Sequence, residues 1–155
     1  MKKVLFTMIV LASFAFVFSS CEKEEEYTAP AMTTAKIEGR VQSNLNLQAT
    51  GLESVPDGTK LFARINLGDL VQYPIAGYNY EDKIYTTTAS GGKYTFTIEA
   101  GTQPVTVSIW GEDFEYTLVN ADGTPQTDRT VLTLTEGWYG TTISGGDHQV
   151  IDLVY

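Results

Sequence analysis

Few residues in this chain of 155 have the types and spacing to do chemistry. Cys21 is the single thiol, set between the apolar run Val4–Phe18 and the charged run Glu22–Glu26. His148 is the single histidine and follows Asp147. A Ser-His-Asp arrangement would also need a nucleophile close by, and the chain has neither Gly-x-Ser-x-Gly nor His-Glu-x-x-His. His148 therefore reads as a surface histidine at a strand end. Glu112, Asp113 and Glu115 offer the paired carboxylates of glycoside hydrolysis. Adjacent acids in a turn ordinarily face water, and that reading is preferred. Asn120, Asp122 and Asp128 offer oxygens for calcium, but the alternating acids and closing glutamate of a calcium loop are missing. One histidine and no free cysteine leave no ordinary zinc set. No catalytic residue or cofactor is expected, and at Asn120–Asp128 a turn is the preferred reading, with a weak calcium site as the alternative.

The aromatic residues carry a stronger signal. Tyr73, Tyr78, Tyr80 and Tyr85 crowd into Asp69–Tyr85, largely a loop by composition. Flat amphipathic rings give contact area at low entropic cost. Trp110 falls on the polar side of its strand, and Trp138 sits in the turn-rich "EGWYGTT". Tyr73, Tyr78, Tyr80, Trp110 and Trp138 are the candidate ligand-binding residues, suited to stacking on sugar rings or docking a protein. The competing reading has the rings covering the ends of the fold or packing under the long loop.

These side chains must be positioned by strands. "AKIEGRV" sets Ile37, Gly39 and Val41 against Lys36, Glu38 and Arg40, and "KLFARINL" aligns Leu61, Ala63, Ile65 and Leu67. "KYTFTIEA" aligns Tyr94, Phe96 and Ile98, and "PVTVSIW" aligns Val105, Val107 and Ile109. Period two means one face buried and one wet, the habit of antiparallel sheets. "SGG" at Ser90–Gly92 signals a tight hairpin, and "VPDGT", "NADGTP" and "SGGDH" mark further turns. With "KIYTTTA", "EYTLV", "RTVLTLT" and "HQVIDLVY", the pattern predicts an all-β, antiparallel Greek-key β-sandwich of about 7–8 strands. No amphipathic helix is expected.

The chain start bears on location. Lys2 and Lys3 precede a largely apolar stretch of 15 residues, Val4–Phe18, shorter than the ~20 of a spanning helix. Ser19, Ser20 and Cys21 then resemble the lipobox of bacterial lipoproteins. The resemblance implies a diacylglycerol on the Cys21 thiol, cleavage just before it, and a membrane partner held through two or three acyl chains, enough for stable anchoring. Glu22, Lys23, Glu24, Glu25 and Glu26 resemble the acidic export signal that sends some lipoproteins to the outer face of the outer membrane. The expected organisation is a signal peptide over 1–20, a lipidated tether over 21–34 and a β-sandwich domain over 35–155. Loss of 1–20 leaves 8 basic and 19 acidic residues, a formal charge of −11. That surface repels phosphate backbones, so nucleic acid is not an expected partner.

The stretch from Ala35 to about Val119 resembles the carboxypeptidase regulatory-like domains, small sandwiches of the prealbumin (transthyretin-like) type. "IEGRV", "VPDGTKLFARI" and "GKYTFTIEAGTQPVTVSI" carry the likeness. Gln103 and Pro104 depart from it, as do an insertion over Gly68–Asp82 and the residues after Val119. The resemblance implies no catalytic residues. The expectation is therefore a surface-anchored lipoprotein whose sandwich acts as a structural or protein-interaction module beside an outer-membrane partner. The alternative is a carbohydrate-binding module that holds polysaccharide at the cell surface.

Overall fold

The computed structural model describes residues 32–155. Cys21 and the Glu22–Glu26 run lie outside them. Two sheets face each other, and a third ribbon closes one end.

The first sheet is built on β1 (Thr33–Ser43), which starts two residues ahead of the expected boundary at Ala35. On one side of β1 lie β5 (Lys93–Ala100), antiparallel from Thr33↔Ala100 to Arg40↔Lys93, and the two-residue β2 (Glu53–Ser54). On the other lie β10 (His148–Val150) and β11 (Leu153–Val154). The second sheet has the order β4 (Asp82–Thr88), β3 (Lys60–Asn66), β6 (Val105–Gly111), β9 (Tyr139–Ile143), all antiparallel. The ribbon pairs β7 (Phe114–Tyr116) with β8 (Thr130–Leu132). A 3-10 turn, Leu67–Leu70, follows β3, and Asn66 caps it by accepting from the Gly68 N–H. Among the described residues no helix is long and apolar enough to cross a membrane.

The alternation read from the sequence decides what is buried. Ile37 and Val41 of β1, Tyr94, Phe96 and Ile98 of β5, and Leu61, Ala63, Ile65, Val105, Val107 and Ile109 of the second sheet form one core between the sheets. Burying each large apolar side chain contributes about 1.5–3 kcal/mol. At Gly91 and Gly92 both φ angles are positive, 55° and 68°, as a two-residue primed hairpin turn requires. Ser90 and Lys93 exchange both backbone hydrogen bonds across that turn. The strands it joins then part: β4 pairs with β3, while β5 crosses to β1.

Two features depart from the sequence reading. β10 and β11 run parallel to β1, so the first sheet is mixed rather than purely antiparallel. The chain leaves β9 through the Ser144–Asp147 turn and enters the opposite sheet instead of folding back on β9. It arrives beside β1 in the same direction. And β9 is a strand where turn composition predominates. Residues after Val119, which have no counterpart in the resemblance, supply β8 to β11 and so an edge of each sheet.

Candidate functional site

The outer face of the four-stranded sheet gathers the two tryptophans. Inward-facing Leu61, Ala63 and Ile65 leave Phe62, Arg64 and Asn66 of β3 pointing outward. On β6, Thr106, Ser108 and Trp110 do the same. Register then sets cross-strand rows. Phe62 faces Thr86 on one side and Trp110 on the other. β6 pairs Ile109 with Tyr139, the last pair of that ladder, and Trp138 just before it lines the same cleft as Trp110. The second row runs Ile84, Arg64, Ser108, Gly140. The third continues with Asp82 and Asn66, then Thr106 and Thr142. Adjacent strands lie about 4.8 Å apart, so successive positions in a row are lateral neighbours.

The first row is aromatic. Phe62 and Trp110 stack at 5.4 Å between centroids, with planes 22° apart. Both are half-buried, whereas Trp138 is 62% exposed. The Trp138 ring lies over Gly140, where an added Cβ would sit 2.9 Å from Cζ3. Glycine at 140 thus leaves room for the ring to lie back on β9. The next rows are polar. Arg64 Nη1 lies 3.5 Å from Asp82 Oδ2. Asn66 Nδ2 donates to Asp82 Oδ1 at 3.0 Å and to the Tyr80 carbonyl at 2.9 Å. Asp69 Oδ2 accepts the Thr106 N–H at 3.0 Å, which ties the 3-10 turn to β6.

An open cleft of about 360 Å³ lies between Trp138, Gly137, Trp110, Ser108 and Arg64. A second of about 210 Å³ continues past Arg64 and Ser108 to Asn66, Asp69, Asp82 and Thr106. Aromatic faces at one end and hydrogen-bonding groups at the other suit a ligand with apolar faces and hydroxyl edges, the pattern of a binding site with a few placed polar groups.

The tyrosines are elsewhere. Tyr73 and Tyr78 are 76% and 62% exposed in the β3–β4 connection, next to exposed Ile75. Tyr80 is structural: its ring lies over Gly68, its hydroxyl accepts the Ile75 N–H, and it meets Tyr78 edge-on at 4.7 Å. So Trp110 and Trp138 line one cleft, whereas Tyr78 and Tyr80 meet each other, and Tyr73 stands exposed, in the β3–β4 connection.

The other sequence candidates have structural partners. His148 Nε2 lies 2.8 Å from Glu38 Oε1, while Asp147 Oδ2 accepts the Ser144 N–H. Hydrogen bonds from Lys36, then from His148, hold the Glu38 carboxyl below its ordinary value. Glu112 pairs with Lys60 and Glu115 with Arg129. Asp122 Oδ1 takes the Thr124 hydroxyl at 2.6 Å and its N–H at 2.9 Å, which lowers the Asp122 pKa and closes the turn on itself. Among the described residues no three His, Cys, Asp or Glu side chains gather as a metal set.

Arg64, which lines both clefts, and Phe62, which backs Trp110, were not singled out in the sequence reading. The available signal was an aromatic ring and a cation at outward positions of a strand with a clean inward set. No protein-family model matches the chain, and no curated protein does.

Proposed function

We propose that the protein is a non-catalytic binding module that holds a glycan chain against the outer face of its four-stranded sheet. Its Cys21 lipid would keep it on the outer membrane, and its acidic tether would direct it to the cell exterior. One observation carries the glycan reading: Trp138, laid over Gly140, and Trp110, stacked on Phe62, line one open cleft together with Arg64 and Ser108. Sugar rings present apolar faces for the indoles and hydroxyl edges for Arg64, Ser108, Asn66 and Asp82. The shallow, open shape fits an extended chain rather than an enclosed small molecule. The resemblance of Ala35 to about Val119 to the carboxypeptidase regulatory-like domains agrees with a sandwich that presents its faces for contact.

A specific observation favours a second reading, a protein partner. Val71, Tyr73, Ile75 and Tyr78 are all exposed in one connection. Apolar side chains grouped in this way often mark protein contacts.

Affinity electrophoresis through gels holding plant, host and microbial polysaccharides separates the two. Retardation by one glycan, lost in Trp138→Ala and kept in Tyr73→Ala, supports the cleft. Free migration through every gel would overturn the glycan reading and leave the loop as the surface to test.

A further inference from the structure

Another open cleft lies on the opposite side of the sandwich, on the outer face of the first sheet. Of the seven Lys and Arg residues described, five form ion pairs with carboxylates: Lys36–Glu38, Lys60–Glu112, Arg64–Asp82, Lys83–Glu99 and Arg129–Glu115. Arg40 and Lys93 form none among the described residues. They are also direct cross-strand partners of β1 and β5.

The pairing is of the close kind. Val41 N–H donates to the Gly92 carbonyl, so 41 and 92 are a hydrogen-bonded pair and 40 and 93 a non-hydrogen-bonded one. In such pairs the Cα atoms stand about 4.5 Å apart, with the side chains correspondingly near. Like charges directly opposite destabilise a sheet. In an acidic protein, the two unpaired cations are set against each other although carboxylates are plentiful.

The neighbouring acids are engaged. Asp152 Oδ1 accepts the Arg40 backbone N–H at 2.7 Å, and Glu38 is shared between Lys36 and His148. The pair borders an open cleft of about 480 Å³ that is also lined by Glu38, Thr95, Val150 and Asp152. Thr95 offers a hydroxyl, and Val150, 70% exposed, offers an apolar wall.

We infer that Arg40 and Lys93 form a subsite for one oxyanion, a carboxylate or a sulfate, carried on a ligand with an apolar side that rests on Val150. An anion between the cations turns their repulsion into two attractions, and charge-assisted bonds of this kind are the stronger ones. A phosphate-rich polymer is a poor fit, because two cations in a chain of net charge −9 neutralise only one local group. The inference stands apart from the cleft on the other sheet.

The test is calorimetric titration of the full chain at low salt with methyl β-glucuronide, methyl β-glucoside and sodium sulfate, beside Lys93→Gln and Lys93→Glu. The expected result is binding of the glucuronide or of sulfate at least tenfold tighter than the neutral glucoside, and loss of that binding in both variants. Sulfate alone would assign a sulfate ester, and the glucuronide alone a carboxylate. Lys93→Glu should also melt higher than the parent, since it places opposite charges across the strands. Its folding is thereby reported in the same experiment. Trp138→Ala, on the other face, should bind the anions unchanged. Uptake of neither anion, or equal uptake by Lys93→Glu, would overturn the inference and leave the glycan reading untouched.

Discussion

Single residues divide into those that hold the fold and those free to meet a ligand. Trp138 belongs to the second group. Because it is exposed, Trp138→Ala should change stability by no more than about 0.5 kcal/mol. It should weaken glycan retention tenfold or more, as loss of a central aromatic anchor does. Gly140→Ala should weaken retention too, by lifting the ring off β9, again with the melting temperature nearly unchanged. Tyr94 and Tyr155 belong to the first group. The Tyr94 hydroxyl donates to the Ile151 carbonyl at 2.7 Å and the Tyr155 hydroxyl to the Glu112 carbonyl at 2.9 Å. Burial, with Asp152 near Tyr94 and Asp113 near Tyr155, favours the neutral phenols. It raises the Tyr94 pKa well above the ordinary 10.0 and pushes Tyr155 up to about 12. A pKa raised by folding stabilises below the unfolded value, and that stability is lost as pH climbs above it. Melting temperature should therefore fall from about pH 10 upward, and Tyr94→Phe should blunt the fall. A flat profile from pH 10 to 12 would contradict the role given to these phenols. Phe62 and Arg64 show why part of the site was hidden in the sequence. Alternation along β3 places them outward, which usually means solvent. Only lateral register, Phe62 against Trp110 and Arg64 against Ser108, makes them neighbours of a site.

Among the elements, legibility followed the strength of the alternation. Lys93–Ala100 matches the strand expected from "KYTFTIEA" end for end, because four alternating residues are buried and a two-glycine turn fixes its start. β9 was hidden because Gly137 and Gly140 give "EGWYGTT" the composition of a turn. Its strand character comes from pairing with β6, a tertiary effect that overrides local preference. The parallel placement of β10 was hidden for a related reason. Local chemistry specifies the Ser144–Asp147 turn but not which sheet the chain enters next. Gly39 is where that placement becomes sterically exacting. A Cβ there would overlap the Ile151 carbonyl, which the Tyr94 hydroxyl holds in place between β10 and β11. Gly39→Ala should destabilise by about 1–3 kcal/mol, the usual cost of overpacking, read from denaturant midpoints. An unchanged midpoint would mean that the final strands are held loosely against β1.

At the scale of the molecule, two sheets share one core and turn two chemically different faces outward. One carries Trp138, Trp110 and the Arg64 cleft, the other the Arg40–Lys93 pair. A single-anchor protein can present both faces only if it is tethered at one point, and the proposed lipid at Cys21 supplies that geometry. Metabolic labelling with palmitate should mark the wild-type protein and fail to mark Cys21→Ala. Replacement of Glu22–Glu26 by uncharged residues should make the labelled protein resistant to protease added outside intact cells. Label retained by Cys21→Ala would refute the anchor. Both tryptophans of the chain line the proposed glycan cleft, so tryptophan emission, excited at wavelengths where the nine tyrosines do not absorb, reports on that cleft. The most direct measurement is therefore a fluorescence titration with oligosaccharides from the same plant, host and microbial polysaccharides. The account predicts a saturable blue shift with at least one of them, as exposed Trp138 is covered, and loss of that shift in Trp138→Phe. Emission that stays constant with every oligosaccharide, or a shift that persists in full without the Trp138 indole, would contradict it.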